Sequence, residues 1–393
     1  MADDSFDVVI VGGAATGSSA AFHLAAHPDF SGRVLVLEKD PSYQNCASAR
    51  SAASIRQQYS AAINVEISLY GIAFLREIGA RLAVDRDAPA IGLREGGYLF
   101  LASDAGADEL AAAHALQTGL GADIALLAPD ALAARFPWLN TEGIARGSLG
   151  LSGEGWFDGY GLMQAFRRKA RSLGVTYRAA NAVALERSAD CITAVKLADG
   201  TRIACGWAVN AAGGGGADLA RTAGIDLPVA NKKRMIFTFT CPDAVPDCPL
   251  LIDPSGVYVR PEGQGFLCGT APPPQDDPDS ADFEVNHALF EEVIWPTLAR
   301  RIPAFERLRP GRAWAGHYDM NLFDQNAILG SAPGCANLLL ANGFSGHGLQ
   351  QSPAVGRGLS ELVVHGRYAT LDLSPLGYGR IARNAPLVER KVV

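Results

Sequence analysis

Phe6 to Val11 reads FDVVIV, a run apolar but for Asp7, and Gly12-Gly13-Ala14-Ala15-Thr16-Gly17 follows at once. A short run with no polar alternation is the pattern of a strand covered on both faces, which requires helices above and below its sheet. Small residues from Ser18 to about Ala26, stopped by Pro28, predict a helix; Arg33 to Glu38 (RVLVLE) predicts a second covered strand ending in an acid. Strand, glycine turn, helix, strand is a βαβ unit, which commits the amino end to a parallel sheet. Glu38 lies 21 residues after Gly17. A nucleotide fingerprint asks for this context: glycines for a tight turn, a helix N-terminus under a pyrophosphate, and a carboxylate for ribose hydroxyls. Gly12 and Gly17 occupy the outer glycine positions, but the middle one is Ala14. Its methyl is expected to push a pyrophosphate outward or shift the turn. An ordinary βαβ crossover is the alternative reading.

The carboxyl end carries a second device of this kind. Asn337 to Asn342 (NLLLAN) is a short buried-strand run, and Gly343-Phe344-Ser345-Gly346-His347-Gly348 follows it. Three glycines in six residues do not belong inside a helix or strand, where each costs roughly 1 kcal/mol relative to alanine. Gln351 to Gly356 and Leu359 to Leu362 then predict a helix with Pro353 in its first turn. A strand, a glycine turn and a helix N-terminus present backbone N–H groups and a positive dipole to an anion or an electron-rich ring. A tight connection with no ligand is the plain alternative.

Between these ends the chain alternates elements. Asn45 to Ser54 is small and hydroxyl-rich and leads into Ile55-Arg56-Gln57-Gln58-Tyr59, and Ala61 to about Ile78 predicts a helix. Gly96 to Leu101 reads as a strand; Glu109 to Gln117, Ala128 to Phe136 and Gly161 to Leu173 read as helices. Val175 to Tyr177, Ala182 to Leu185, Ile192 to Val195 and Thr201 to Ile203 predict a β-meander with a turn at Asp199-Gly200. Trp207 to Ala212 predicts a strand running into four glycines, Gly213 to Gly216. From Lys232 on, antiparallel strands are expected at Arg234 to Thr240, Gly256 to Arg260 and Gly265 to Gly269, with a loop over Ala271 to Asp282 and a helix from about Val285 to Arg301. The fold class expected is α/β with a mixed α+β character.

Charge and length exclude other classes. The 393 residues carry a net charge of −7, which argues against a nucleic-acid or anionic-membrane surface. The acidic start, Met1 to Asp7, lacks the basic region of a secretory signal, and no apolar run approaches the roughly 20 residues of a membrane span. Seven cysteines, odd in number and without a C-x-x-C pair, predict reduced thiols, no metal centre and a cytoplasmic protein.

Taken together, the βαβ start with Glu38, Ser48 to Tyr59, Val209 to Gly213, Trp314-Ala315-Gly316 with Tyr318-Asp319, and GFSGHG with its helix resemble the FAD-dependent oxidoreductases of the D-amino acid oxidase, glycine oxidase and sarcosine oxidase superfamily. The five matches run in the same order over almost the whole length. The resemblance implies an FAD-binding Rossmann-like domain from residues 1–90, 150–228 and 308–393, and an antiparallel-sheet substrate domain from 91–149 and 229–307. It implies FAD held by the turn Gly12, Gly13, Ala15, Thr16 and Gly17, by Glu38 with Lys39 at the ribose, and by Val183 at the adenine. Ser48, Arg50, Ser51 and Ala52 would lie along the pyrophosphate and flavin, with Ala212, Gly213 and Gly316 beside them. Gly343, Gly346, His347, Gly348, Leu349 and Gln350 would face the pyrimidine end of the ring, where reduced flavin gathers negative charge. Sarcosine oxidases attach flavin through a cysteine; the matching position here is Gly316, so FAD is expected to be non-covalent. A lysine that assists oxygen there is replaced by an apolar residue around Leu267, which points toward a dehydrogenase.

The activity implied is oxidation of a C–N bond in an amino acid or N-substituted amino acid, by hydride transfer to flavin and hydrolysis of the imine. Arg56, Tyr258, Tyr318 and His347 are the candidate catalytic residues. Arg56, three residues before Tyr59, matches an arginine that holds the substrate carboxylate; a surface arginine is the alternative. Tyr258 and Tyr318 either line the substrate or serve as core tyrosines, and His347 contacts flavin or closes its own turn. Arg260 and Arg234 are possible further cations. The partners expected are a small amine or amino acid and, as acceptor, O2 or an electron carrier. Two other activities fit this scaffold: oxidation of a 2-hydroxy acid, which would use His317 or His347 as base, and flavin retention without turnover in an assembly or binding protein. An NAD-dependent dehydrogenase would leave GFSGHG without a ligand.

Overall fold

The computed structural model describes residues 5–389, so the acidic Met1 to Asp4 lies outside the described residues. The FDVVIV run is the middle of an eight-stranded sheet, and Val8, Val9 and Ile10 are fully buried in it. Ser5–Val11 pairs in parallel with Val34–Glu38 on one side and with Arg202–Asn210 on the other. Beyond them lie Thr176–Ala179 on the first side and Leu338–Asn342 on the second, both parallel. The chain therefore winds outward in one direction from its first strand and later returns to wind in the other. The crevice at such a reversal, at the carboxyl ends of the strands, is where an open α/β sheet takes its ligand. All three glycine-rich turns leave from that edge: residues 12–17 after the first strand, 213–216 after the Arg202–Asn210 strand and 343–348 after Leu338–Asn342.

Helices cover this sheet. Ala15–Ala25 packs in the same apolar core as Gly159–Ser172 and Gly348–His365. Small residues set the spacing: a Cβ added at Gly356 would stand 2.2 Å from Ser19 Oγ.

A second eight-stranded sheet is drawn from residues 98–150 and 229–321 and is mostly antiparallel. Its core gathers Phe237, Phe239, Leu251 and Val259 against Phe290, Ile294, Leu298 and Phe305. The strand Arg309–Asn321 pairs with Val229–Thr240 and so belongs to this sheet, although the expected division grouped 308–393 with the nucleotide-binding part. A short ladder of Ser54–Ile55 with Gly155–Trp156 lies just before Arg56 in sequence and brings Glu154 alongside it.

Several expectations are corrected. Thr176–Ala179 pairs in parallel with Val34–Glu38 and is no part of the meander. Thr201 to Ile203 and Trp207 to Ala212 form one strand, Arg202–Asn210, which exchanges an antiparallel partner for a parallel one near Ala204. The carboxyl-terminal helix begins at Gly348, which puts Pro353 in its second turn; the Leu349 carbonyl, left without the proline's amide, accepts Ser352 Oγ at 2.8 Å. The expected helix from Val285 is a π turn at Phe290–Ile294 followed by Trp295–Arg301, because Pro296 offers no amide to the Glu292 carbonyl. All seven cysteines are free thiols, and no helix among the described residues is long and apolar enough to cross a membrane.

Gly12 has φ +102°, and a Cβ there would stand 2.2 Å from the Ala211 carbonyl oxygen, whereas Gly215 has open space around it. Gly12→Ala should lower stability by about 1–3 kcal/mol and Gly215→Ala by less than about 0.5 kcal/mol, read as urea midpoints of the two apoproteins.

Candidate active site

The carboxyl edge of the first sheet opens into a groove walled by Ala14, Ala15, Thr16, Ser48, Ser51 and Gly213 on one side and by Gly346, Gly348 and Leu349 on the other. The Ala15–Ala25 helix starts here with no side chain capping it, so its first N–H groups face the groove; the Ala15 amide reaches only Ser48 Oγ, at 3.3 Å. Gly12, Gly13 and Gly17 form the turn behind. A Cβ on Gly17 would lie 1.8 Å from the Gly12 carbonyl oxygen, which is why strand and helix meet only through glycine. Glu38 holds the turn's far side, accepting the Gly13 amide at 2.9 Å and the Asp40 amide at 2.9 Å.

The GFSGHG turn is held by Asp319, which accepts the Gly343 amide at 2.8 Å through Oδ2. Burial pushes the Asp319 carboxyl up to about 6 against the pull of these backbone bonds. Gly343 and Gly346 have φ of +68° and +91°, and Ser345 sits between them in the left-handed region at +52°. A Cβ on Gly346 would lie 2.3 Å from the Tyr318 ring.

FAD, the cofactor implied by the sequence, fits this groove on three observations. Its floor is glycine and alanine, which allows flat contact; a helix N-terminus free of a side-chain cap lies under one wall; and His317, which lines it, has a buried Nε2 with no hydrogen-bond partner. Among the other expected cofactor residues, Lys39 is exposed beside Glu38, and Val183 is 42% exposed on Ala182–Ser188 and does not line the groove. Arg50 turns away from the groove: it donates to the carbonyls of Gln44 and Ala315 and lies over Phe283. Gly316 allows that approach, since its Cβ would stand 3.0 Å from Arg50 Cβ. The Ala52 carbonyl accepts Arg260, and Ala212 lies in the turn after Asn210.

A second cavity, of about 60 Å³, shares Ser51, Tyr318, Gly346 and Leu349 with the groove. Arg56, Tyr258, Tyr318 and His347 all line it, together with Tyr98 and Gln350. Arg56 is 2% exposed. Its guanidinium donates to the Gln58 carbonyl at 3.2 Å and to His347 Nε2 at 3.1 Å, and it lies 4.3 Å over the Tyr59 ring. Gln350 Oε1 accepts the Arg56 amide at 2.9 Å, and Gln350 Nε2 donates to the Tyr59 hydroxyl. Burial, and then the charge of Arg56, hold His347 well below the ordinary histidine value. The ring is therefore neutral, with its lone pair on Nε2 toward Arg56 and its proton on Nδ1. Burial raises Tyr258 well above, and Tyr318 above, the usual tyrosine range, and Tyr98 to about 12. The cavity thus offers one fixed cation, neutral hydroxyls and a neutral imidazole.

Two expected cations stand elsewhere. Arg260 is buried but turned into a neighbouring groove, where it binds Glu262 and the Ala52 carbonyl. Arg234 is taken up by a bidentate pair with Asp277 at 2.8 and 2.9 Å. His317 lines the cofactor groove and not the Arg56 cavity. Sequence reading missed Tyr98, which looked like an ordinary strand tyrosine, and Glu154, for which a lone acid between Gly153 and Gly155 was the available signal.

Comparison with known proteins agrees with this geometry. The family model described as "DAO: FAD dependent oxidoreductase" matches residues 7–362. "FAD-dependent oxidoreductase domain-containing protein 1" of Xenopus laevis is 41% identical, over 98% of this chain and 85% of that protein. Among solved structures, L-proline dehydrogenase from P. horikoshii superposes with a TM-score of 0.86 at 22% identity, covering 98% of this chain and 100% of that one. Glycine oxidase from Geobacillus kaustophilus gives 0.81 at 24% identity, covering 95% and 98%.

Because a methyl at Gly346 collides with Tyr318 on the wall common to both cavities, Gly346→Ala should weaken FAD retention by about 5- to 150-fold, the range that 1–3 kcal/mol of overpacking implies. Equilibrium dialysis of the reconstituted protein measures it.

Proposed function

The chain belongs to the DAO family of FAD-dependent oxidoreductases, and on that premise we propose that it oxidises the C–N bond of an amino acid or N-substituted amino acid whose carboxylate is held by Arg56. The observation that carries this reading is the placement of Arg56. It is a buried guanidinium on the wall of a partly open cavity, and that cavity meets the cofactor groove at Ser51, Tyr318, Gly346 and Leu349. A planar cation in low dielectric selects a carboxylate by paired charge-assisted hydrogen bonds. FAD, held non-covalently by the turn after the first strand, Ser48, Ser51 and the GFSGHG turn, would supply the two-electron acceptor for the hydride leaving the α-carbon.

The chain's own residues do the rest. Arg56 fixes the carboxylate end of the substrate, and His347 and the Gln58 carbonyl fix Arg56. Tyr258 and Tyr318 stay protonated and present hydroxyls to the amine end. Such a site takes the amine in its neutral form and needs no strong base, since the imine forms by loss of hydride and an N–H proton and is then hydrolysed. A 2-hydroxy acid would need a basic nitrogen for its hydroxyl proton. His347 Nε2 accepts from Arg56, and His317 lies in the other cavity; this favours C–N over C–O oxidation. The acceptor that reoxidises the flavin is O2 or an electron carrier. Leu267, apolar and buried on the wall of the neighbouring groove into which Arg260 turns, favours a carrier.

Anaerobic addition of sarcosine, glycine, L-proline or D- and L-alanine should bleach the flavin with at least one of them, while 2-hydroxyglutarate leaves it coloured; bleaching by the hydroxy acid alone would reverse the assignment. Arg56→Gln should lower kcat/KM by about 30- to 5,000-fold, the equivalent of the 2–5 kcal/mol expected for removing one partner of a buried charge pair.

A further inference from the structure

Glu154 is a fully buried carboxylate directly behind the Arg56 cavity. Its Oε1 accepts the amides of Gln57 at 2.5 Å and Gln58 at 3.1 Å, and its Oε2 accepts Gln58 Nε2 at 2.8 Å. All three donors belong to the two residues that follow Arg56, so the carboxylate grips the backbone that carries the guanidinium. Glycine makes room for it: a Cβ on Gly150 would stand 2.0 Å from Oε2. None of these donors is a cation, so Glu154 is a buried anion whose positive counterpart acts at a distance.

The charges around it are few. Arg56 is the cation whose field reaches Glu154. Tyr98 is neutral, and its backbone carbonyl accepts the same Gln58 Nε2 at 3.1 Å. Glu95 accepts the Gly153 amide at 2.6 Å and is kept ionised by Arg76, also at 2.6 Å. Arg260 faces Tyr98 and is paired with Glu262; Glu389 acts on Arg56 and Tyr59 from the carboxyl-terminal segment. Of these, Arg56 is the one whose field changes when a carboxylate enters the cavity.

We propose that Glu154 is a positioning residue that couples substrate binding to proton uptake: when an anionic substrate neutralises Arg56, Glu154 takes one proton from solvent. This rests on the reading of Arg56 as the carboxylate site. Burial raises the Glu154 carboxyl to about 7 even with the bonds from Gln58 and Gln57 and the charge of Arg56 holding it down. A bound carboxylate cancels that charge and adds a second anion nearby, both of which favour the protonated form. The linkage sign follows. Below the free value of about 7 the group is already protonated and binding is independent of pH. Between the free value and the higher bound value, affinity falls as pH rises, by up to about tenfold per unit, and above both it is flat again and weaker. The proton stays on the Glu154 carboxyl, and no bond in the substrate is made or broken.

The test uses the FAD-loaded protein, titrated with benzoate or acetate in weakly buffered solution containing a pH indicator, with binding read from flavin absorbance. Between pH 7 and 8 the wild type should take up a fraction of a proton rising toward one per carboxylate bound, with affinity falling up to about tenfold across that unit. Benzamide should bind with no uptake. Glu154→Gln should bind benzoate with no proton exchange and a Kd flat over the same range, a change that a merely structural role for Glu154 would not produce. Carboxylate binding without uptake in the wild type, or uptake undiminished in Glu154→Gln, overturns the proposal. Even if that variant folds poorly, the benzoate and benzamide comparison in the wild type tests the proposal, because equal proton exchange with the two ligands overturns it. If neither carboxylate binds, or if Arg56→Gln binds them as well as the wild type, the Arg56 reading itself fails and the coupling fails with it.

Discussion

The structure depends on one close approach. At the carboxyl edge of the parallel sheet, Gly12 passes so near the Ala211 carbonyl that no side chain fits between them. The first strand, its helix and the Arg202–Asn210 strand are locked there at the point where the winding of the sheet reverses. Leu338–Asn342 joins beside them and delivers the GFSGHG turn to the same edge. Three segments separated by more than a hundred residues each thus end in glycine next to one another. This builds a wall of backbone amides that can meet a flat, anionic cofactor directly. The Ala14 methyl lines that groove.

The second dependence is electrostatic. A buried guanidinium is tolerable only if its donors are occupied and its charge is matched. Arg56 meets this with the Gln58 carbonyl, the neutral ring of His347 and the face of Tyr59, while Glu389 acts on it as a negative charge and Glu154 holds the backbone that follows it. The same arrangement explains why His347 makes a poor base: its lone pair is already directed at the cation, and burial together with that cation keeps it unprotonated.

What could be read in the chain, and what could not, follows from the range of the interactions. The glycine turns, Glu38, Arg56 and His347 belong to local patterns, since a strand end, a turn and a helix start are written in adjacent residues. The structure brings Arg56, Tyr258, Tyr318 and His347 to one cavity. Contacts between distant segments were not legible. Nothing near Arg260 in sequence says that it turns into another groove toward Ala52, and nothing near Arg234 announces Asp277. Thr176–Ala179 looked like a meander strand because its residues suit either sheet edge, and only its parallel register with Val34–Glu38 decides. Glu154 escaped notice because its importance comes from burial, which sequence spacing does not record.

The central claim is that a carboxylate on Arg56 orients the C–N bond toward the cofactor groove. The most direct measurement compares, by anaerobic stopped-flow, flavin reduction by the best reducing amino acid and by its carboxamide at equal concentration. The account predicts that the carboxamide, with the same C–N bond but no anion, reduces the flavin at least about 100-fold more slowly. Equal rates would mean that Arg56 does not read the substrate, and the assignment of the cavity would be wrong.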